Sequence, residues 1–183
     1  MGWVDVPGDS LRQGDICVIE GLPVWNLAGA TMRDPQQALS NFVIAPHKTV
    51  QWSKLTGGTV VAVCSHDCDV ENPRTRTGLI VAPLVNVPAP PRDPEMYAKI
   101  MASGDTTAGI DFVHLFPVRL PGDDGQERDA VVDFSAITTM ARAAKAVGHL
   151  ADGKRLEMTD ATRTAFQRKL ALFFGRPYQD PRD

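Results

Sequence analysis

The chain has 183 residues, a net charge of −3, 43% hydrophobic and 22% charged residues, and three cysteines. That length and balance suit a single domain, 1–183, with its own core, and exclude both a global basic field for nucleic acid and a membrane-spanning apolar run. Too few cysteines for a disulfide framework, and an N-terminus without signal-peptide features, predict a soluble cytoplasmic protein.

Leu11 to Asp15 reads as a turn feeding a short strand, Ile16 to Ile19, with Cys17 as a small core residue. From about Gly21 to Val50 the periodicity is weak and prolines recur, which predicts a long excursion. Trp25, Leu27 and Phe42 would be its anchors for a protein partner. Val50 to Trp52 alternates like a strand, Leu55 to Gly58 reads as a turn, and Gly58 to Val63 reads as a strand buried on both faces.

Glu71 to Gly78 is a polar loop and Leu79 to Val85 the next strand, with Pro83 implying an edge or a bulge. A helical insertion spans about 88–109. Asp93 is its N-cap, Pro94 lies in the first turn, and Tyr97, Ile100 and Met101 form an apolar stripe. Phe112 to Val118 and Asp129 to Phe134 read as strands around a turn at Pro121 to Gly125, and Ile137 to Val147 as further sheet or short helix. A last helix begins at Thr159 or Asp160 and ends at Gly175. Phe166, Leu170, Phe173 and Phe174 form its apolar side, and Arg163, Arg168 and Lys169 its solvated side.

Chemistry concentrates in Cys64-Ser65-His66-Asp67-Cys68-Asp69, directly after the valine strand. In an extended chain Cys64, His66 and Cys68 would share one side, spaced about 6–7 Å per step. Zinc is the ion such ligands suit, with Asp69 or the distant His114 as a fourth, although no cofactor is the preferred expectation. A thiolate–imidazolium pair is a second option, with His114 or His149 better placed than His66 to serve a cysteine. Acid–base work by His66 beside Ser65 or Asp67 is a third. A purely structural turn, with the cysteines in the core and the aspartates accepting backbone N–H groups, is the fourth.

Gly14-Asp15-Ile16, the valine strand ending in Ser65, Thr77 to Leu84, and Val131 to Met140 followed by an amphipathic helix resemble the MazF/PemK group of toxin–antitoxin proteins. The resemblance implies a β-rich α+β fold: an SH3-like, partly open barrel with an inserted helix and a C-terminal amphipathic helix. It further implies a homodimer, an antitoxin partner, and metal-independent cleavage or binding of single-stranded RNA. On that basis Ser65 and His66 are the catalytic candidates, Lys54, Arg74 and Arg76 the RNA-binding ones, and Asp67, Cys68 and Asp69 a site motif. The family's arginine before the valine strand has no counterpart here, where Lys48 and Lys54 stand instead. Ser65-His66-Asp67-Cys68-Asp69 and Phe173-Phe174-Gly175-Arg176-Pro177 are also similar to a set of uncharacterised bacterial proteins with a Ser-x-x-Cys-Asp element. The alternatives to RNA work are a non-catalytic interaction module and a zinc or thiol site on Cys64, His66 and Cys68.

Overall fold

A computed structural model describes residues 2–25, 50–72, 78–88, 93–104, 112–122, 125–140 and 144–175, with 21–25, 50–58 and 144–146 described by backbone alone. Seven strands form one antiparallel sheet: β1 Ile16–Trp25, β2 Val50–Val63, β3 Leu79–Asn86, β4 Leu115–Pro121, β5 Glu127–Asp133, β6 Thr138–Met140 and β7 Lys154–Leu156. Among the described residues four helices accompany them: α1 Asp67–Glu71, α2 Pro94–Ala102, α3 Ala144–Asp152 and α4 Asp160–Gly175. The sheet order is β4-β5-β3-β2-β1-β7, with β6 also on β3, and the sheet curls into a half-barrel.

Alternation along the strands explains why both sheet faces are covered. Ile16, Ala62, Cys64 and Ala82 enter one core with Phe116, Val132, Phe134, Phe166 and Leu170. Their neighbours Cys17, Ile19, Val61, Val63 and Val81 enter a second core with Leu11, Val70, Met140 and Leu150. Period-two side chains therefore feed two apolar layers, as the unbroken valine run implies. Helix α4 closes the first layer: Phe166 meets Phe116 edge-on at 5.2 Å and Phe134 at 5.4 Å. Val70 of α1 and Leu150 of α3 belong to the second.

Pro83 occupies a central strand rather than an edge. The N–H and carbonyl of Ile80 face Ser65 and Cys64 beyond β2, and Ala82 pairs with Ala62 on the same side. The backbone nitrogen of Pro83 therefore faces the opposite side, where β6 pairs with Leu79–Val81 and β5 with Leu84–Asn86. The 3₁₀ turn Phe134–Ala136 interrupts the partner strand there. The missing N–H falls in that break.

Three expectations are corrected. Leu55 to Gly58 is not a turn: β2 runs through it. Pairing steps from Ile19↔Thr59 to Gly21↔Lys54, so β2 takes up extra residues as an irregularity within the ladder. Gly21 to Trp25 accordingly belongs to β1, and 26–49 of the expected excursion, with Leu27 and Phe42, lie outside the described residues.

The strand expected from Phe112 starts only at Leu115, because Phe112 to His114 turn into it and the His114 carbonyl accepts the Phe134 N–H.

The third correction concerns α4. Arg163 and Lys169 are 3% and 2% exposed, whereas Phe174 is 60% exposed. Three helical residues turn the chain by about 300°, which places Arg163 and Lys169 about 60° either side of Phe166. They are core-side residues with polar partners, and Phe174 lies near the end of the helix.

The inserted helix forms as its caps dictate. The Asp93 carboxylate accepts the Met96 N–H at 2.9 Å, Pro94 opens the helix, and Ser103 closes it. None of its side chains is buried, and it lies beside the edge strand β4.

Candidate functional site

Strand β2 ends at Val63, and each residue of the following hexad has a distinct environment. Cys64 points into the core, its thiol donating to the Ala62 carbonyl at 3.8 Å. Burial pushes that thiol up to about 12, so it stays protonated. Ser65 is also buried. Its N–H donates to the Ile80 carbonyl at 3.1 Å and its Oγ accepts the Ile80 N–H at 2.7 Å. The hydroxyl completes the ladder where the backbone of β2 leaves it.

His66 ends the extended chain. Its backbone is extended (φ −65°, ψ 150°) and it serves as the N-cap of α1. The His66 carbonyl accepts N–H groups from Asp69 at 2.9 Å and Val70 at 3.1 Å. The alternation that would align Cys64, His66 and Cys68 therefore stops at Ser65. Cys64 is buried, while His66 and Cys68 are exposed.

The exposed pair meets directly. Cys68 Sγ lies 3.0 Å from His66 Nδ1, and the Cys68 N–H donates to the same nitrogen at 3.3 Å. The tautomer that satisfies this N–H carries its hydrogen on Nε2 and leaves Nδ1 as an acceptor. Residues two apart in sequence thus come into contact because α1 starts between them.

Asp67 faces the other way, toward the turn before β1. Its Oδ1 accepts the Gln13 N–H at 2.6 Å, and its Oδ2 lies 3.6 Å from Arg12 Nε. Gln13 is buried and engages all its polar groups. Besides the bond to Asp67, its Nε2 donates to the Cys64 carbonyl at 2.6 Å and its Oε1 accepts from Gln167 at 3.1 Å. Its carbonyl accepts from Arg163.

Behind this turn lies a buried charge cluster. Lys154 Nζ lies 2.9 Å from Asp15 Oδ2 and 2.7 Å from Glu157 Oε2. Arg163 reaches Glu157 at 3.3 Å and Asp15 at 3.6 Å. Burial raises the Asp15 carboxyl, and the Lys154 hydrogen bond only partly offsets this. Burial also pulls the Lys154 ammonium down, but Glu157 and Asp15 outweigh it and leave it raised. For Glu157, burial acts upward, but Lys154, the Gly8 N–H and Arg163 leave its carboxyl lowered. Arg12 links this cluster to the hexad, since it lies 3.7 Å from Glu157 as well as near Asp67.

The candidate zinc ligands Cys64, His66, Cys68 and His114 do not gather. Among the described residues no three His, Cys, Asp or Glu side chains form a metal-holding group. Cys64 is sealed in the core, and His114 is half-buried just before β4, three places from β2 in the sheet. Of the RNA-binding candidates, Arg74 and Arg76 lie outside the described residues and Lys54 is placed by its backbone in β2. Asp69 is half-buried within α1.

Gln13, Arg12, Lys154, Glu157 and Arg163 carried no sequence signal as a group. Their partners are up to about 150 positions apart, and only the turn at Leu11 to Asp15 was visible locally. Among the described residues no helix is long and apolar enough to cross a membrane. No protein-family model, curated protein or solved structure matches this chain.

Proposed function

We propose that the protein works through the Cys68 thiol as a nucleophile, with His66 as the base that takes its proton. The observation that carries this is the 3.0 Å contact between Cys68 Sγ and His66 Nδ1 at an exposed position. Proton transfer to Nδ1 frees a sulfur lone pair to attack a carbonyl carbon, and the imidazolium returns the proton to the leaving group. Water then attacks the thioester and restores the thiol. The substrate class is an activated acyl group, and the enzyme class a thiol-dependent hydrolase or transferase.

Three thiols of unequal access make a clean test. Cys17 and Cys64 are buried and both pushed up to about 12, the first by burial and the nearby Asp15, the second by burial. An acyl or haloacetamide probe on folded protein should label one site, Cys68, and Cys68→Ser should abolish the labelling. His66→Ala should slow it about tenfold. Labelling of Cys68 at the rate of an unstructured cysteine peptide, unaffected by His66→Ala, would overturn the assignment.

RNA work by a MazF-like barrel is a second proposal, supported by the curled antiparallel sheet and the exposed His66 at the end of β2. In it the RNA 2′-hydroxyl attacks the phosphate, His66 moves the proton, and Lys54, Arg74 and Arg76 offset the charge. Ser65 then acts as a structural residue, because its hydroxyl is buried on Ile80. A cytoplasmic homodimer with an antitoxin partner belongs to this second proposal. Mixed-sequence single-stranded RNA incubated with wild type and His66→Ala decides it. Cleavage by wild type alone supports it, and neither cleavage nor binding at low salt removes it.

A further inference from the structure

We propose that Asp67 is the positioning residue of the Cys68–His66 pair, held for that task by Gln13 and Arg12. This rests on the thiol assignment above and names what keeps that site in working geometry.

The pair cannot hold itself. Both side chains are exposed, so no packing confines them. Helix α1 has five residues, Asp67–Glu71, far fewer than an isolated helix needs. The 3.0 Å contact must therefore be imposed through the backbone. Asp67 stands between His66 and Cys68 in the chain, and both its carboxylate oxygens are gripped from outside α1.

The gripping turn is itself rigid. The Arg12 N–H donates to Asp15 Oδ2 at 2.7 Å and the Asp15 N–H to the Arg12 carbonyl at 3.1 Å. The Gly14 N–H donates to the Val63 carbonyl at 2.8 Å, and Gln13 Nε2 holds the Cys64 carbonyl. The turn thus clamps the hexad at two points, Cys64 and Asp67, while Ser65 is pinned to Ile80. What remains free to adjust between the clamps is mainly His66.

Charge points the same way. The charged groups around α1 are Asp67, Asp69 and Glu71 on the helix and Arg12 on the turn, with Glu157 behind Arg12. Arg12 offsets the charge of the Asp67 carboxylate that Gln13 also holds.

The test combines the iodoacetamide alkylation rate of Cys68 at pH 7 with the imidazole ¹⁵N shifts of His66, which report the tautomer and its contact. Asp67→Ala should slow alkylation about tenfold and average the tautomer signals. Asp67→Asn keeps an oxygen for the Gln13 N–H and should recover to within about threefold of wild type. Arg12→Gln, at a side chain 39% exposed, removes the other arm without a core change and should fall between them. Unlabelled Cys17 and Cys64 in each variant report that the fold is intact.

Asp67→Ala alkylating at the wild-type rate with wild-type imidazole shifts overturns the proposal. If His66→Ala slows alkylation while Asp67→Ala and Arg12→Gln do not, the positioning role alone fails. If His66→Ala also leaves the rate unchanged, the thiol assignment beneath it fails too.

Discussion

Lys169 donates to two atoms of one residue: the carbonyl of Ser103 and, at 2.9 Å, its hydroxyl. Ser103 is the C-cap of α2, so the ammonium from α4 sits at the negative end of a helix dipole. Among the described residues no carboxylate stands within ion-pair distance of it. This buried contact and the hydrogen bond from Tyr97 to Asp129 tie a helix with no buried side chain to the rest of the protein.

The first prediction follows from the Lys169 ammonium, which burial lowers from 10.5 to about 8. Between these values the unfolded chain holds the proton more tightly than the folded one. Stability therefore rises with pH across that window and is depressed below it. The rise should be on the order of 2–3 kcal/mol for wild type and absent in Lys169→Met. Urea unfolding at pH 7.5 and pH 10 for both proteins measures it as a difference, which cancels other titrating groups. Equal pH dependence in the two would show that Lys169 is not the titrating group.

The second concerns the charge cluster. Removing Arg163 leaves Asp15 and Glu157 buried with less compensation, so Arg163→Ala should cost about 3 kcal/mol. The Glu157 carboxyl is lowered, so it contributes stability above its unfolded value of 4.5 that is lost as pH falls through the folded value. Asp15 is raised and acts in the opposite sense between 3.8 and its higher folded value. Glu157→Gln should thus be less stable than wild type at pH 7 and show a shallower loss between pH 5 and 3. Acid-unfolding curves followed by circular dichroism test this.

The third separates structure from chemistry at Ser65. Ser65→Ala leaves the buried Ile80 N–H without its acceptor and should cost about 1–2 kcal/mol. It should leave the alkylation rate of Cys68 within about twofold of wild type, since the hydroxyl faces β3 rather than the thiol. A large loss of reactivity with unchanged stability would return Ser65 to the reacting groups.

The fourth tests the clamp. Gly14 has φ +89°, and a Cβ there would lie 2.9 Å from Met158 Sδ. Gly14→Ala should destabilise by about 2 kcal/mol. Thermal unfolding reads the stability. Hydrogen exchange at the Gln13 and Ile80 amides reads whether the hexad loosens with it.

What the sequence made legible was local. The valine run with its alternating faces and the Asp93–Pro94 helix start depend on neighbours within a few positions, and both formed as expected. The hexad stood out for the same reason, as a dense group of reactive residues at a strand end. The contact between Cys68 and His66 was hidden because it needs the chain to turn at His66, and a five-residue helix has too little periodicity to announce itself. Arg163 and Lys169 looked solvated because charge is normally outside. Their burial depends on Gln13, Glu157 and Ser103, two of which are brought near only by the folded sheet. Strand β7 is only three residues long, so it too had no pattern of its own.

Gln13 has one further consequence. With its N–H, carbonyl and both amide atoms engaged, it joins α1, the end of β2 and α4 at a single residue. None of these can loosen without stranding a buried polar group on the others. Fraying that would ordinarily begin at a short surface helix is thereby coupled to release of the last helix. The His66–Cys68 contact is consequently expected to open with the whole domain, not as a separate mobile loop, although its side chains stand at the surface.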